Sequence, residues 1–168
     1  IIVSHVEEKI TSDIPAEAVM SLAEQKAVDV AKEMPEGTVI LGSDTVVAAD
    51  GKILGKPKNH EEAYEMIRRL AGRSHQVYTG VCLVKKGPEG EADTVVSFYD
   101  ETDVNVSPMT EKEIREYADS EEPMDKAGSY AVQGFFARYI DGLKGSYANV
   151  MGLPVHLVYQ ELKKLGAL

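Results

Sequence analysis

The sequence has no tryptophan and one cysteine, Cys82, among its 168 residues. A lone cysteine forms no disulfide within its chain, so the fold must rest on its core, and a reducing cytoplasm is the expected home. Basic residues are in short supply. The 18 Lys and Arg against 28 Asp and Glu leave a formal charge of −10. That field repels polyanions and argues against a nucleic-acid polymer or an anionic membrane as partner. No apolar run approaches the roughly 20 residues that a membrane helix needs. The longest runs, around Val39–Leu41 and Val46–Ala49, are strand-sized. Also missing are a Walker loop, a G-x-G-x-x-G turn and any H-x-x-x-H or C-x-x-C spacing. What is present is 43% apolar and 27% charged, the composition of a globular protein, with 1–168 read as one domain.

The pattern along the chain mixes hairpins with helices. Residues 1–6 read as a strand. Pro15 suits the first turn of a helix running to about Met34. Residues 38–48 read as a buried strand, and Asp50-Gly51 as a tight turn into a short strand at 52–55. Asn59 with Glu62 opens a helix whose apolar face is Ala63, Met66, Ile67 and Leu70. Residues 75–85 and 94–106 alternate as paired strands, and Thr110 with Glu113 starts another helix. Residues 128–152 are glycine-rich and read as irregular with short strands. Val155, Val158, Tyr159 and Leu162 outline a last helix. This order predicts an α/β fold, a mixed sheet with helical cover.

The informative residues are polar ones in apolar surroundings. Lys26 shares a helix face with Val19, Leu22, Ala23 and Val30. It must snorkel, pair with a carboxylate or meet an anionic ligand. Asp44 sits inside Val39-Ile40-Leu41-Gly42-Ser43-Asp44-Thr45-Val46-Val47. An unpaired buried carboxylate costs several kcal/mol, so Asp44 reads as a cleft residue, paired or metal-bound, or as one held by backbone amides. Gly42, two residues earlier on the same face, would let a ligand approach closely. Gly55-Lys56-Pro57 forms a rigid corner presenting one cation. Glu7 and Glu8 point to opposite faces, so only one can face a given cleft. His5, His75 and Cys82 read as ordinary strand residues. Gln133, a donor and an acceptor at once, is equipped to read a base edge or simply to meet solvent. Carboxylates and lysines without a nucleophilic triad point to metal-assisted chemistry on a phosphate.

Several blocks stand in a familiar order. They are Val6-Glu7-Glu8-Lys9, Gln25-Lys26-Ala27, Gly42-Ser43-Asp44-Thr45-Val46-Val47, Leu54-Gly55-Lys56-Pro57, Gly72-Arg73-Ser74-His75 and Thr79-Gly80-Val81. Asp125-Lys126-Ala127-Gly128-Ser129-Tyr130, Val132-Gln133-Gly134 and Val150-Met151-Gly152-Leu153-Pro154 follow. Over its whole length the chain resembles the Maf family of nucleoside triphosphate pyrophosphatases. The resemblance implies a mixed central sheet flanked by helices, two lobes around a deep cleft, similar to the inosine triphosphate pyrophosphatase fold. It implies hydrolysis of a nucleoside triphosphate to the monophosphate and pyrophosphate, with a divalent cation, Mg²⁺ or Mn²⁺, and a homodimer. Asp44-Thr45 and the Tyr130–Gly134 block resemble the subfamily acting on dTTP, UTP and modified pyrimidine analogues. The alternatives are the subfamily acting on 7-methyl-GTP and a non-catalytic nucleotide binder linked to septum formation. By motif, Asp44 and Glu7 match catalytic acids and metal ligands, and Lys56 a catalytic cation. Lys26, Lys126, Thr45 and Gln133 match substrate-binding positions. The family's opening loop, of the type Ser-x-Ser-Pro-Arg-Arg, has no counterpart in these residues, so the domain is expected to be incomplete at its N-terminal side.

Overall fold

A computed structural model describes residues 1–168. Helix α1, Pro15–Ala31, opens with proline at its first position, where the missing N–H costs nothing. It stops three residues short of the expected Met34, because Pro35 drives the residue before it out of the helical region. Strands β1 (Val39–Ala49) and β2 (Lys52–Leu54) are joined by Asp50 and Gly51, both at positive φ, the conformation of a two-residue hairpin turn. Asn59 caps α2 (His60–Leu70) by accepting from the Glu62 amide at 2.9 Å. Strands β3 (Ser74–Lys85) and β4 (Thr94–Val106) form the long hairpin. Thr110 and Glu113 make a full capping box on α3 (Glu111–Ala118). Three short 3₁₀ turns follow, at Glu122–Asp125, Ala127–Ser129 and Phe135–Tyr139, leading to β5 (Ile140–Lys144). The one-turn α4 (Tyr147–Val150) and α5 (Val155–Lys164) close the chain.

The α/β class with helices flanking a central sheet is as expected. The five strands run in the order β2-β1-β3-β4-β5. All four pairings are antiparallel, where interleaved hairpins and helices had suggested a mixed sheet. The reason is α2. It returns the chain to the end of β1, so β3 enters alongside in the opposite direction, with Ala48 facing Gln76. A second expectation also fails. Residues 1–6 join no strand. This segment is tied to α1 by side chains instead. The Ser4 hydroxyl and His5 amide donate to Asp29 at 2.9 and 3.1 Å, and Gln25 exchanges two hydrogen bonds with the Lys9 backbone.

The sheet has two unlike faces. On one, α1 lies almost against the strands. A Cβ at Gly42 would sit 2.4 Å from the Ala23 carbonyl oxygen, and one at Gly80 would sit 2.3 Å from that of Val19. Gly42 therefore makes room for a helix, and the expected ligand approach at that position is corrected. Ala23, Ala27 and Ala31 pack there on Ile40, Cys82 and Val84. Cys82 is fully buried in this layer as a small apolar residue. The other face carries the larger core, where Val47, Val77 and Val104 meet Ile67, Leu70 and Phe136. At the outer edge of β1, β2 pairs only with Val47–Ala49, so the edge at Asp44 is not covered by it.

Candidate functional site

Strand alternation sends Asp44 to the α1 face and Thr45 to the opposite one. Asp44 lies across from Gly80, so no side chain separates its carboxylate from the helix. Lys26 reaches down from α1 and donates to Asp44 Oδ1 at 2.6 Å. The same ammonium lies 3.4 Å from Glu8 Oε1. Side-chain exposure is 16% for Asp44 and 25% for Lys26, so this pair is only partly screened by water. Burial raises the Asp44 carboxyl above its ordinary range, and the nearby Lys26 charge only partly offsets that. Burial also presses the Lys26 ammonium toward lower pKa, but Asp44 and Glu8 outweigh it and raise the group.

On the other face a cavity of about 260 Å³ opens between the sheet and the glycine-rich stretch. Thr45, Val47 and Val77 form its floor. Tyr130 and Gln133 stand on one side, and Val150 to Gly152 on the other. Lys56, Asp125 and Lys126 supply its charged side chains. The wall is held in place by backbone geometry. Gly128, at φ +64°, packs where a Cβ would meet Val47 at 2.8 Å, and its amide donates to the Gly55 carbonyl at 3.0 Å. That bond fastens the Gly55-Lys56-Pro57 corner to the residue 126–130 turn. Tyr130 is then fixed from below, its hydroxyl 2.7 Å from Nε2 of the buried His75. The desolvated imidazole is pushed down to about 4, so it is neutral at physiological pH.

The opposite wall hangs on one buried amide. Asn149 is fully inaccessible and donates to the Val77 carbonyl at 3.1 Å and to Thr102 Oγ1 at 2.9 Å. Its own carbonyl accepts from the Thr79 hydroxyl at 2.8 Å. Ser43 donates to the Gly152 carbonyl at 2.9 Å. Three strands thus grip the turn that ends at Gly152.

The residues singled out from the sequence fall into two groups. Asp44 and Lys26 meet directly. Thr45, Lys56, Lys126 and Gln133 border the cavity. Lys56 and Gln133 are exposed, and Lys126 pairs with Asp125. Glu7 points to solvent with no ion pair, while its neighbour Glu8 takes the place beside Lys26. His75, Thr79 and Asn149 escaped notice as site residues. Their signal is a polar side chain inside an apolar or glycine-rich run, the same signal that exposed Asp44. No three acidic, histidine or cysteine side chains gather into a preformed metal cage. No helix is long and apolar enough to cross a membrane.

The profile of the Maf-like protein family matches residues 1–165. The chain is 47% identical over 164 residues to a dTTP/UTP pyrophosphatase of Lachnoclostridium phytofermentans, covering 98% of this chain and 83% of that protein. It is 47% identical to a dTTP/UTP pyrophosphatase of Agathobacter rectalis, over 95% of this chain and 83% of the other. A dTTP/UTP pyrophosphatase of Carboxydothermus hydrogenoformans is 46% identical, over 99% of this chain and 87% of its own.

Proposed function

The chain belongs to the Maf family, and from that premise we propose that it hydrolyses dTTP, UTP and related pyrimidine nucleoside triphosphates to the monophosphate and pyrophosphate. The observation that carries the reading is the partly buried Asp44, paired to Lys26 on one face of β1, next in sequence to Thr45, which floors the cavity on the other. The relatives named for dTTP and UTP support the substrate class. In this reading the base enters the cavity over Thr45, with Tyr130 and Gln133 on one side and Val150 to Gly152 on the other. The triphosphate runs past the edge of β1 toward Lys26 and Asp44, with Lys56 and Lys126 neutralising its charge. Asp44 orients a water and takes its proton as the water oxygen bonds to the α-phosphorus. The bond from that phosphorus to the bridging oxygen breaks, and pyrophosphate departs. A carboxylate raised by burial is a better proton acceptor than an exposed one.

The donor set also fits a divalent cation. Asp44 and Glu8 bring two carboxylates to one point at the Lys26 ammonium, and Mg²⁺ is commonly held by one or two carboxylates together with substrate phosphates. Asp44 and Glu8, in place of the Glu7 suggested by motif, would hold it, and the cation would supply neutralisation of phosphate charge. The test is pyrophosphate release from dTTP, UTP, CTP, GTP, ITP and 7-methyl-GTP with Mg²⁺. Release from dTTP and UTP above the others supports the reading. Preference for 7-methyl-GTP, or binding of nucleotide without release, overturns it.

A further inference from the structure

Thr79 is completely buried in β3, and its single hydroxyl proton has a fixed destination. A backbone carbonyl can only accept, so the 2.8 Å contact with the Asn149 carbonyl oxygen consumes that proton. The Thr45 hydroxyl lies 2.8 Å from the same Thr79 oxygen. With the Thr79 proton already committed, Thr45 must be the donor in that contact. A hydroxyl has one proton and two lone pairs. Thr45 therefore faces the cavity with lone pairs only. Gly152 on the far wall keeps the space in front of them open, since a side chain there would start with its Cβ only 3.4 Å from Thr45 Oγ1. The surroundings, Val47, Val77 and Val150, are apolar and suit a base better than a phosphate.

We propose that Thr79 is a specificity-determining positioning residue: by holding the Thr45 proton it makes Thr45 an obligate acceptor for the N3–H of a pyrimidine-2,4-dione. This rests on the pyrimidine triphosphate reading above and adds how the base is told apart. Thymine and uracil share the N3–H donor. Cytosine presents a bare N3 acceptor there, which meets the Thr45 lone pairs unfavourably. Asn149 sets the direction of the relay through its carbonyl, and its side-chain bonds to Val77 and Thr102 keep that carbonyl in place.

The test is calorimetric titration of UMP, dUMP, 3-methyl-UMP and CMP into the wild type, Thr79→Ser and Thr79→Val. One net hydrogen bond is worth about tenfold in affinity. The wild type should bind UMP and dUMP alike, and each about tenfold or more tighter than 3-methyl-UMP and CMP. Thr79→Ser retains the proton relay and should retain the preference. Thr79→Val frees the Thr45 proton, so the UMP over CMP preference should shrink about tenfold. A merely structural role for Thr79 would weaken all ligands together and leave that ratio unchanged. Equal binding of UMP and 3-methyl-UMP to the wild type, loss of dUMP binding, absence of UMP binding, or an unchanged ratio in Thr79→Val overturns the proposal. Because these are monophosphates, the outcome is separate from the pyrophosphate-release assay, whose failure would strike the catalytic reading alone.

Discussion

Asp44 and Thr45 are neighbours in one strand, yet they serve two unlike surfaces. The α1 face is built from alanines and glycines, lies close to the helix backbone and carries its charge at the rim in Lys26, Asp44 and Glu8. The opposite face is built from large side chains, and its buried polar groups include neutral hydroxyls and an amide with fixed partners, with Lys56, Asp125 and Lys126 also lining its cavity. Small residues bring the Lys26 ammonium within reach of a strand carboxylate. Large residues leave room for a cavity and for a buried network that holds its walls. A charged group needs a partner and a cleft, whereas a base needs hydrogen-bonding groups of fixed polarity. Strand alternation delivers both from adjacent positions, and the proposed reading uses one face for phosphate chemistry and the other for base selection.

The sharpest way to break this division is at Asp44. Asp44→Asn removes the proton acceptor and should lower kcat about 10³-fold, within the range of general-base contributions. Titration with uridine should be unaffected, because the base lies on the other face. In the wild type, the acid limb of kcat/KM should lie above the ordinary carboxylate value of 3.8, the direction in which burial moves Asp44.

The next effect sharpens the other face. His75 is pushed down to about 4 in the folded chain, from 6.5 when unfolded. The folded value is the lower one, so its contribution is complete above pH 6.5 and is lost as pH falls to about 4. The linkage is worth about 3 kcal/mol over that window. Urea unfolding of the wild type at pH 7 and pH 4.5 should show most of that loss, and His75→Gln should show a flatter dependence.

Gly80→Ala attacks the closeness of α1. Its Cβ would meet the Val19 carbonyl, so the helix must shift, at a cost of about 2 kcal/mol in stability. Activity should fall as well, since the Lys26–Asp44 contact depends on the same approach. Denaturant midpoints and kcat measure the two losses together. The smallest effect belongs to Lys56, which is exposed. Lys56→Gln should raise KM about fivefold, and the difference should fade in 0.5 M salt, where the Debye length falls to about 4 Å and an exposed charge is screened.

What could be read from the sequence follows the range of the physics involved. Asn59 and Thr110 were legible as caps because a cap is satisfied within three residues. Lys26 and Asp44 were legible because each breaks an apolar face, although nothing in the sequence said that they meet each other. Residues 1–6 misled because β-branched residues suggest a strand, and a strand exists only with a partner to pair with. The choice between Glu7 and Glu8 depended on which acid turns toward α1, a matter of tertiary path rather than of composition. The antiparallel pairing depended on where α2 returns the chain. Thr79 and Asn149 each break their surroundings, but their pairing was invisible because the bond joins positions 70 residues apart, and its meaning lies in the direction of a proton.

The division of labour between the faces is tested most directly by amide chemical-shift mapping with two fragments, uridine and inorganic tripolyphosphate. The account predicts that uridine moves the signals of Val77, Thr79, Tyr130 and Gln133 and leaves Glu8 and Lys26 in place, while tripolyphosphate moves Glu8, Lys26, Lys56 and Lys126 and leaves the floor residues Val77 and Thr79 in place. Uridine shifting Lys26 while Tyr130 stays still would contradict it.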